Sequence, residues 1–194
     1  MIRVINYGGG NVRSVTNLLQ SLGYDFGVSS KEREILAAEK IIFPGQGHFG
    51  QSMSALKECG LDFTIHKAVE KQIPFMGICV GLQVLFETSA EAPGEKGLGL
   101  FKGSVVKFTE GKIPQIGWNK IKTLPPNTVL SDDFYYFVNS FYVKPRDETI
   151  VSSVANYHID FCASIEKENL VAMQFHPEKS GEAGVSTIKN WLEK

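Results

Sequence analysis

The first half of the chain alternates short apolar runs with segments of helical periodicity. Met1 to Asn6 reads as a short buried strand. Asn11 to Leu22 carries Val12, Val15, Leu18, Leu19 and Leu22 at helical spacing, and Gly23 stops it. A strand over Phe26 to Ser29 follows, then a helix over Lys31 to Ala38 and a strand at Ile41-Ile42-Phe43. Helical material lies between Gln51 and Gln72, with a break at Gly60. The apolar run Pro74-Phe75-Met76-Gly77-Ile78 predicts the next strand, and a helix-like segment from Gly81 to Phe86 comes after it. Strands alternating with helices imply βαβ units, a mostly parallel sheet and helices on both faces.

Beyond about residue 97 the pattern changes. Short β-like runs occur at Ser104 to Phe108, Phe134 to Val138, Thr149 to Val154, Phe161 to Ile165 and Leu170 to Phe175. Their connections are rich in Gly, Pro, Asn and Asp, so they predict antiparallel strands added to the parallel core. A last helix is expected from about Gly181 to Leu192. The reading is an α/β fold in one domain over residues 1–194. In such sheets ligands bind outside the carboxyl ends of the strands. Asn6, Phe43 and Ile78 each end a strand before a glycine-rich loop, so these loops are expected to share one rim.

Composition narrows the class. Twenty basic and 21 acidic residues leave a net charge of −1, which offers no field for nucleic acid or an anionic membrane. The three cysteines, Cys59, Cys79 and Cys162, form no CxxC pair and no even framework, which favours a reducing cytoplasm. No apolar run reaches the length of a membrane span. The expectation is a cytoplasmic protein.

The candidate chemistry lies in Gly77-Ile78-Cys79-Val80-Gly81-Leu82-Gln83 and Phe175-His176-Pro177-Glu178-Lys179-Ser180. Taken alone, Cys79 suits a small buried hydrophobe, and His176-Pro177-Glu178 suits any surface turn. A zinc site would need local ligand pairs that Cys79, His176 and Glu178 lack. Together, however, they match a nucleophile elbow with a late His-x-Glu. A sharp strand-to-helix turn holds the cysteine in a tight conformation that glycines on either side permit. The helix N-terminus favours thiolate over thiol. His176 can then take the proton and Glu178 can orient the imidazole, giving a Cys-His-Glu triad.

Two further glycine loops have readings of their own. Tyr7-Gly8-Gly9-Gly10-Asn11 lacks the third glycine of a dinucleotide turn, since Arg13 stands there. It reads as a tight turn with Asn11 capping the next helix. Pro44-Gly45-Gln46-Gly47 lies on the predicted rim, where its backbone can approach a ligand. A thiol attacking a carbonyl creates an oxyanion that needs preplaced N–H donors. The Val80 N–H is one candidate, and a peptide between Gly45 and Gly47 is the other.

These motifs resemble the class I glutamine amidotransferases. The resemblance spans essentially the whole chain and includes Tyr7-Gly8-Gly9-Gly10-Asn11, Phe43-Pro44-Gly45-Gln46-Gly47, Gln115-Ile116-Gly117-Trp118-Asn119 and Tyr136-Phe137-Val138-Asn139-Ser140. It implies a flavodoxin-like sheet and hydrolysis of glutamine by Cys79, His176 and Glu178. Gln83, Ser140 and the Gly45–Gly47 loop are then substrate contacts. No metal or organic cofactor is implied. The Tyr-Gly-x-Gly-Asn opening and the Gly-Trp-Asn stretch resemble glutaminase subunits that form a heterodimer with a (β/α)₈ synthase subunit of histidine biosynthesis and pass it ammonia. Trp118 and Asn119 fall at the partner interface in that resemblance, while a lone tryptophan also suits a core. Two positions depart from the pattern: Gln46 where an apolar residue is usual, and Asn139 where His is usual. They leave room for a paralogue supplying ammonia for amidino-sugar synthesis on a surface polysaccharide. A non-catalytic flavodoxin-like scaffold is the alternative of another class, but a scaffold is expected to lose Cys79 or His176.

Overall fold

The computed structural model describes residues 1–194. The alternating pattern of the first half appears as β1 (Ile2–Ile5), α1 (Val12–Ser21), β2 (Phe26–Ser29), α2 (Glu32–Leu36), β3 (Lys40–Gly45), α3 (Phe49–Glu58), α4 (Leu61–Glu70) and β4 (Phe75–Cys79). Val15 and Leu19, one turn apart on α1, are buried, which is what the periodicity requires of a core-facing stripe. Asn11 caps α1 by accepting from the Ser14 N–H. Gly60, at φ +66, takes the left-handed conformation that separates α3 from α4.

The strands β2, β1, β3 and β4 lie side by side and all parallel. The chain moves one way from β1 to β2 and the other way from β2 to β3 and β4. With right-handed crossovers, that reversal puts helices on opposite faces of the sheet. Consistently, α2 and α3 both contact α4. On the other side, α1 and the last helix, α6 (Gly181–Glu193), meet a 3₁₀ turn at Pro177–Lys179.

The second half differs from the sequence expectation in two ways. First, β12 (Leu170–Met173) is not antiparallel to the core: it runs parallel to β4, pairing Leu170 with Phe75 and Met173 with Ile78. All four of its residues are buried, as a strand covered on both faces needs. It completes the order β2-β1-β3-β4-β12, a flavodoxin-like arrangement. Second, three strands were not expected. The helix after Cys79 is a single turn, α5 (Val80–Gln83), because Phe86 already begins β5 (Phe86–Ser89), which pairs parallel with β6 (Phe101–Lys107). The others are β7 (Gln115–Thr123) and β9 (Phe141–Pro145).

The remaining strands are antiparallel. β11 (Ile159–Lys167) lies beside β12, and β10 (Val151–Tyr157), β7 and β8 (Phe134–Asn139) continue outward from it. β9 bridges β6 and β11. One contiguous apolar cluster, including Leu19, Phe43, Phe75, Phe137, Phe175 and Trp191, runs through both halves. No helix is long and apolar enough to cross a membrane.

The approach of α6 to the 3₁₀ turn depends on Gly184. A Cβ there would lie 1.9 Å from the Pro177 carbonyl oxygen. Replacing glycine by alanine normally favours a helix by about 1 kcal/mol, but here it forces α6 off the turn. Gly184→Ala is therefore expected to lower stability by about 1–3 kcal/mol in urea unfolding. An unchanged or raised midpoint would show that α6 is free to shift.

Candidate active site

The site is built at the carboxyl ends of adjacent parallel strands. All of β4 is buried, and its last residue, Cys79, has φ 55 and ψ −111, a conformation that costs a non-glycine residue free energy. Surrounding backbone holds it there. A Cβ on Gly77 would come within 2.7 Å of the Gly81 carbonyl oxygen, and one on Gly81 within 2.4 Å of the Phe43 carbonyl oxygen. One on Gly45 would lie 2.2 Å from the Gly81 nitrogen. Three glycines thus let β3, β4 and α5 touch main chain to main chain, and the elbow follows. Because α5 is one turn long, only a short helix stands behind the sulfur.

His176 follows β12, the strand next to β4, which brings it to Cys79 although 97 positions separate them in the numbering. Its backbone N–H donates to the Tyr136 carbonyl at 2.9 Å. The 3₁₀ turn begins with Pro177 and turns Glu178 back, so that its Oε1 lies 2.8 Å from His176 Nδ1. Both side chains are buried. With Nδ1 committed to the carboxylate, Nε2 is the ring nitrogen left for the Cys79 sulfur. Burial pushes the imidazolium pKa down, but the Cys79 sulfur and then Glu178 outweigh that and raise it to about 10.

The structure also brings in residues that the sequence did not single out for the site. Gln174 Nε2 reaches Cys79 Sγ at 3.6 Å, and its Oε1 accepts from Gln83 Nε2 at 3.0 Å. Gln83 Nε2 also donates to the Phe141 carbonyl at 3.2 Å, so both its hydrogens are committed and only its Oε1 is left for a ligand. Asn11 donates to Glu178 Oε1 at 3.4 Å besides capping α1. Gln174 was detectable: it is a lone amide in an otherwise apolar run, and a buried amide must find partners. Asn11 carried no second signal.

A cavity of about 320 Å³ opens over Cys79, at the lower end of ligand-pocket sizes. Gln46, Gly47, Val80, Gln83 and Ser140 line it, with Asn139 and His176 beside them. Gly45 lies behind the lining, against Gly81. Glu91 and Lys179 place opposite charges on its wall.

The partner candidates lie on the β7–β8 ribbon. Trp118 is 56% exposed and stands edge-on to Tyr136 across the ladder, ring centroids 6.0 Å apart, so it is not core. Ile116 and Phe134 on the same face are exposed too. Asn119 points the other way, its Nδ2 donating to the Asn156 carbonyl at 2.8 Å.

Comparison with known proteins identifies the family and the fold. The family model for glutamine amidotransferase class-I matches residues 3–194. The chain belongs to the class-I glutamine amidotransferases. It is 43% identical to the imidazole glycerol phosphate synthase subunit HisH of Dehalococcoides mccartyi, over 100% of this chain and 97% of that protein. It is likewise 43% identical to the subunit of the same name from Aquifex aeolicus, covering 98% and 95%. Among solved structures, a glutamine amidotransferase superposes with a TM-score of 0.80 at 18% identity, covering 100% of this chain and 98% of that one. PurLQS from Thermotoga maritima superposes with a TM-score of 0.77 at 22% identity, covering 99% and 97%. At those identities the superpositions speak for the amidotransferase fold alone.

The His176 environment has a measurable signature. A pKa raised above the ordinary imidazole value means stability that is fully present below about pH 6.5 and lost as pH rises through about 10. An NMR titration is expected to find His176 far above the usual imidazole range. Cys79→Ala should lower its pKa more than Glu178→Gln, because the sulfur is the larger of the two raising influences. An unchanged pKa in Cys79→Ala would remove the sulfur from contact with the ring.

Proposed function

We propose that this amidotransferase chain is the glutaminase subunit of an imidazole glycerol phosphate synthase of histidine biosynthesis. The observation that carries the reading is the buried His176–Glu178 pair beside Cys79, in a cavity whose wall carries Glu91 and Lys179. Glutamine is a zwitterion, and one anionic and one cationic side chain suit its two α-groups.

The chemistry follows from the roles. Cys79 Sγ attacks the side-chain amide carbon of glutamine, and the carbon–oxygen double bond opens to an oxyanion. The Val80 N–H and a peptide N–H of the Gly45–Gly47 loop hold that charge. Collapse breaks the C–N bond. His176 gives the proton that makes ammonia the leaving group, and a γ-glutamyl thioester remains. His176 then takes a proton from water, which attacks the thioester and releases glutamate and the thiolate. Glu178 holds the imidazole by Nδ1 throughout. Ammonia passes to a (β/α)₈ synthase subunit, whose products are imidazole glycerol phosphate and AICAR.

The β7–β8 ribbon supports that partnership. Ile116, Trp118 and Phe134 leave an apolar stripe exposed, and Val138 on the same strand lines the cavity. A Cβ on Gly181 would sit 3.8 Å from Trp118, which sets the indole beside the turn that carries Glu178. Docking there brings the cavity mouth against the partner, and ammonia need not cross bulk water. In the free chain the Gly45–Gly47 loop turns its donor away from the oxyanion. Partner docking and synthase ligand shift it inward, a change of about 10²–10³-fold in rate.

Two expectations test this. Cys79→Ala should fold normally and lose glutamine-dependent synthesis, while the complex still uses added ammonium. Normal glutamine hydrolysis by that variant would end the triad assignment. Trp118→Ala should weaken partner binding about tenfold or more, as loss of an interface anchor does, or uncouple glutamine hydrolysis from synthesis without lowering the melting temperature. Measuring it against a histidine-pathway synthase and an amidino-sugar synthase identifies the acceptor. Unchanged binding and coupling with both would remove the ribbon from the interface.

A further inference from the structure

The Tyr7 hydroxyl is buried and has no hydrogen-bond partner. A phenol that deep normally finds one. Tyr7 follows β1, and its ring packs edge-on against Phe43, with centroids 5.4 Å apart. A Cβ on Gly10 would meet the Pro44 carbonyl oxygen at 2.6 Å and the Tyr7 hydroxyl at 3.5 Å. The phenol therefore lies under the start of the Gly45–Gly47 loop. The Ser52 hydroxyl and the Gln46 backbone N–H also flank it, without closing a hydrogen bond.

The loop is held at one end and free at the other. Gly45 is wedged against the Gly81 nitrogen, whereas Gly47, at φ +102, has open space where a side chain would be. Rotating the Gly45–Gln46 peptide exchanges the directions of its N–H and C=O. If the Gln46 N–H swings from the Tyr7 side towards Cys79, the Gly45 carbonyl swings to the place that the N–H left.

We propose that Tyr7 is a positioning residue whose hydroxyl donates to the Gly45 carbonyl only when the Gln46 N–H faces the oxyanion site. This rests on the oxyanion role proposed for that loop. In the resting state the hydroxyl is unpaired, and in the active state it is paired. The phenol thus biases the loop towards activity by one hydrogen bond, and losing it lowers the active population by that factor wherever the active state is the minor one. Tyr7 touches neither substrate nor sulfur in this scheme.

Tyr7→Phe, which keeps the ring and removes only the hydroxyl, tests it. Glutamine hydrolysis is measured for the lone chain and for its complex with a histidine-pathway synthase saturated with synthase ligand, together with the melting temperature. The expected result is a fall of about tenfold in the stimulated kcat, from one lost hydrogen bond in the active state. KM for glutamine should hold and the lone-chain rate should fall by a similar factor, with the melting temperature equal to or above that of the wild type. An unchanged stimulated kcat would overturn the proposal. So would a lowered melting temperature, which would mean that the hydroxyl is already paired at rest. A wild-type complex with no stimulation at all would instead strike the oxyanion and partner reading itself, and the Tyr7 proposal with it.

Discussion

Main-chain contact between β3, β4 and α5 is the constraint on which the site depends. Gly45, Gly77 and Gly81 each face a backbone atom at a distance that leaves no room for a methyl group. Their close approach lets Cys79 sit at positive φ at the end of a buried strand. Strain of this kind persists only where the surroundings over-determine it, and here a parallel ladder on both sides of β4 does so. The Gly45–Gly47 loop inherits its position from the same contact, since it leaves β3 at the glycine that touches α5. Cys79 and the first residue of the Gly45–Gly47 loop are therefore one packing unit, while Gly47 at the other end of the loop is free of that contact.

The other half of the site depends on β12. Insertion of this strand beside β4 carries Gln174 and His176 to the sulfur, and the turn that follows brings Glu178 back onto the imidazole. The polar atoms are then committed in sequence. Asn11 holds Glu178, Glu178 holds His176, and Gln83, Gln174 and the Phe141 carbonyl form a second chain beneath the cavity. In a buried setting such chains fix orientation as well as adding stability, because an amide that rotates away leaves a partner unpaired. Ring direction at His176 follows from this arrangement rather than from the histidine itself.

What was legible in the sequence follows the same division. The parallel core could be read because its strands and helices have distinct periods and glycines at their ends. That Cys79, His176 and Glu178 come together could be read because each sits in a compact local motif. β7 could not, because its inward positions carry Gln115, Gly117 and Asn119 while Ile116 and Trp118 face outward, which inverts the usual alternation. β9 was hidden because only Ser140 separates it from β8. β5 was absorbed into the helix that precedes it. β12 looked like one more added strand, and even its burial on both faces is shared by Phe161–Glu166 of its antiparallel neighbour β11, so only its pairing with β4 distinguishes it. Strand pairing is a property of distant partners, so strand direction was the part that local pattern could not supply.

The inverted alternation of β7 has a physical consequence of its own. The ribbon of β7 and β8 leaves its outer apolar area in water, while Ile121, Tyr135 and Phe137 bury its inner face in the core. Such a ribbon is stable here because β10 pairs one edge of β7 and the His176–Ser180 turn meets β8 through the Tyr136 backbone and the Ser180 hydroxyl. This exposed apolar face is thus tied by hydrogen bonds to the segment that carries His176 and Glu178. Trp118 lies beside that segment, and Asn11, on the turn after β1, donates to Glu178. On the proposed docking, a partner seated on the ribbon would meet the His176–Glu178 half of the site through contacts already made.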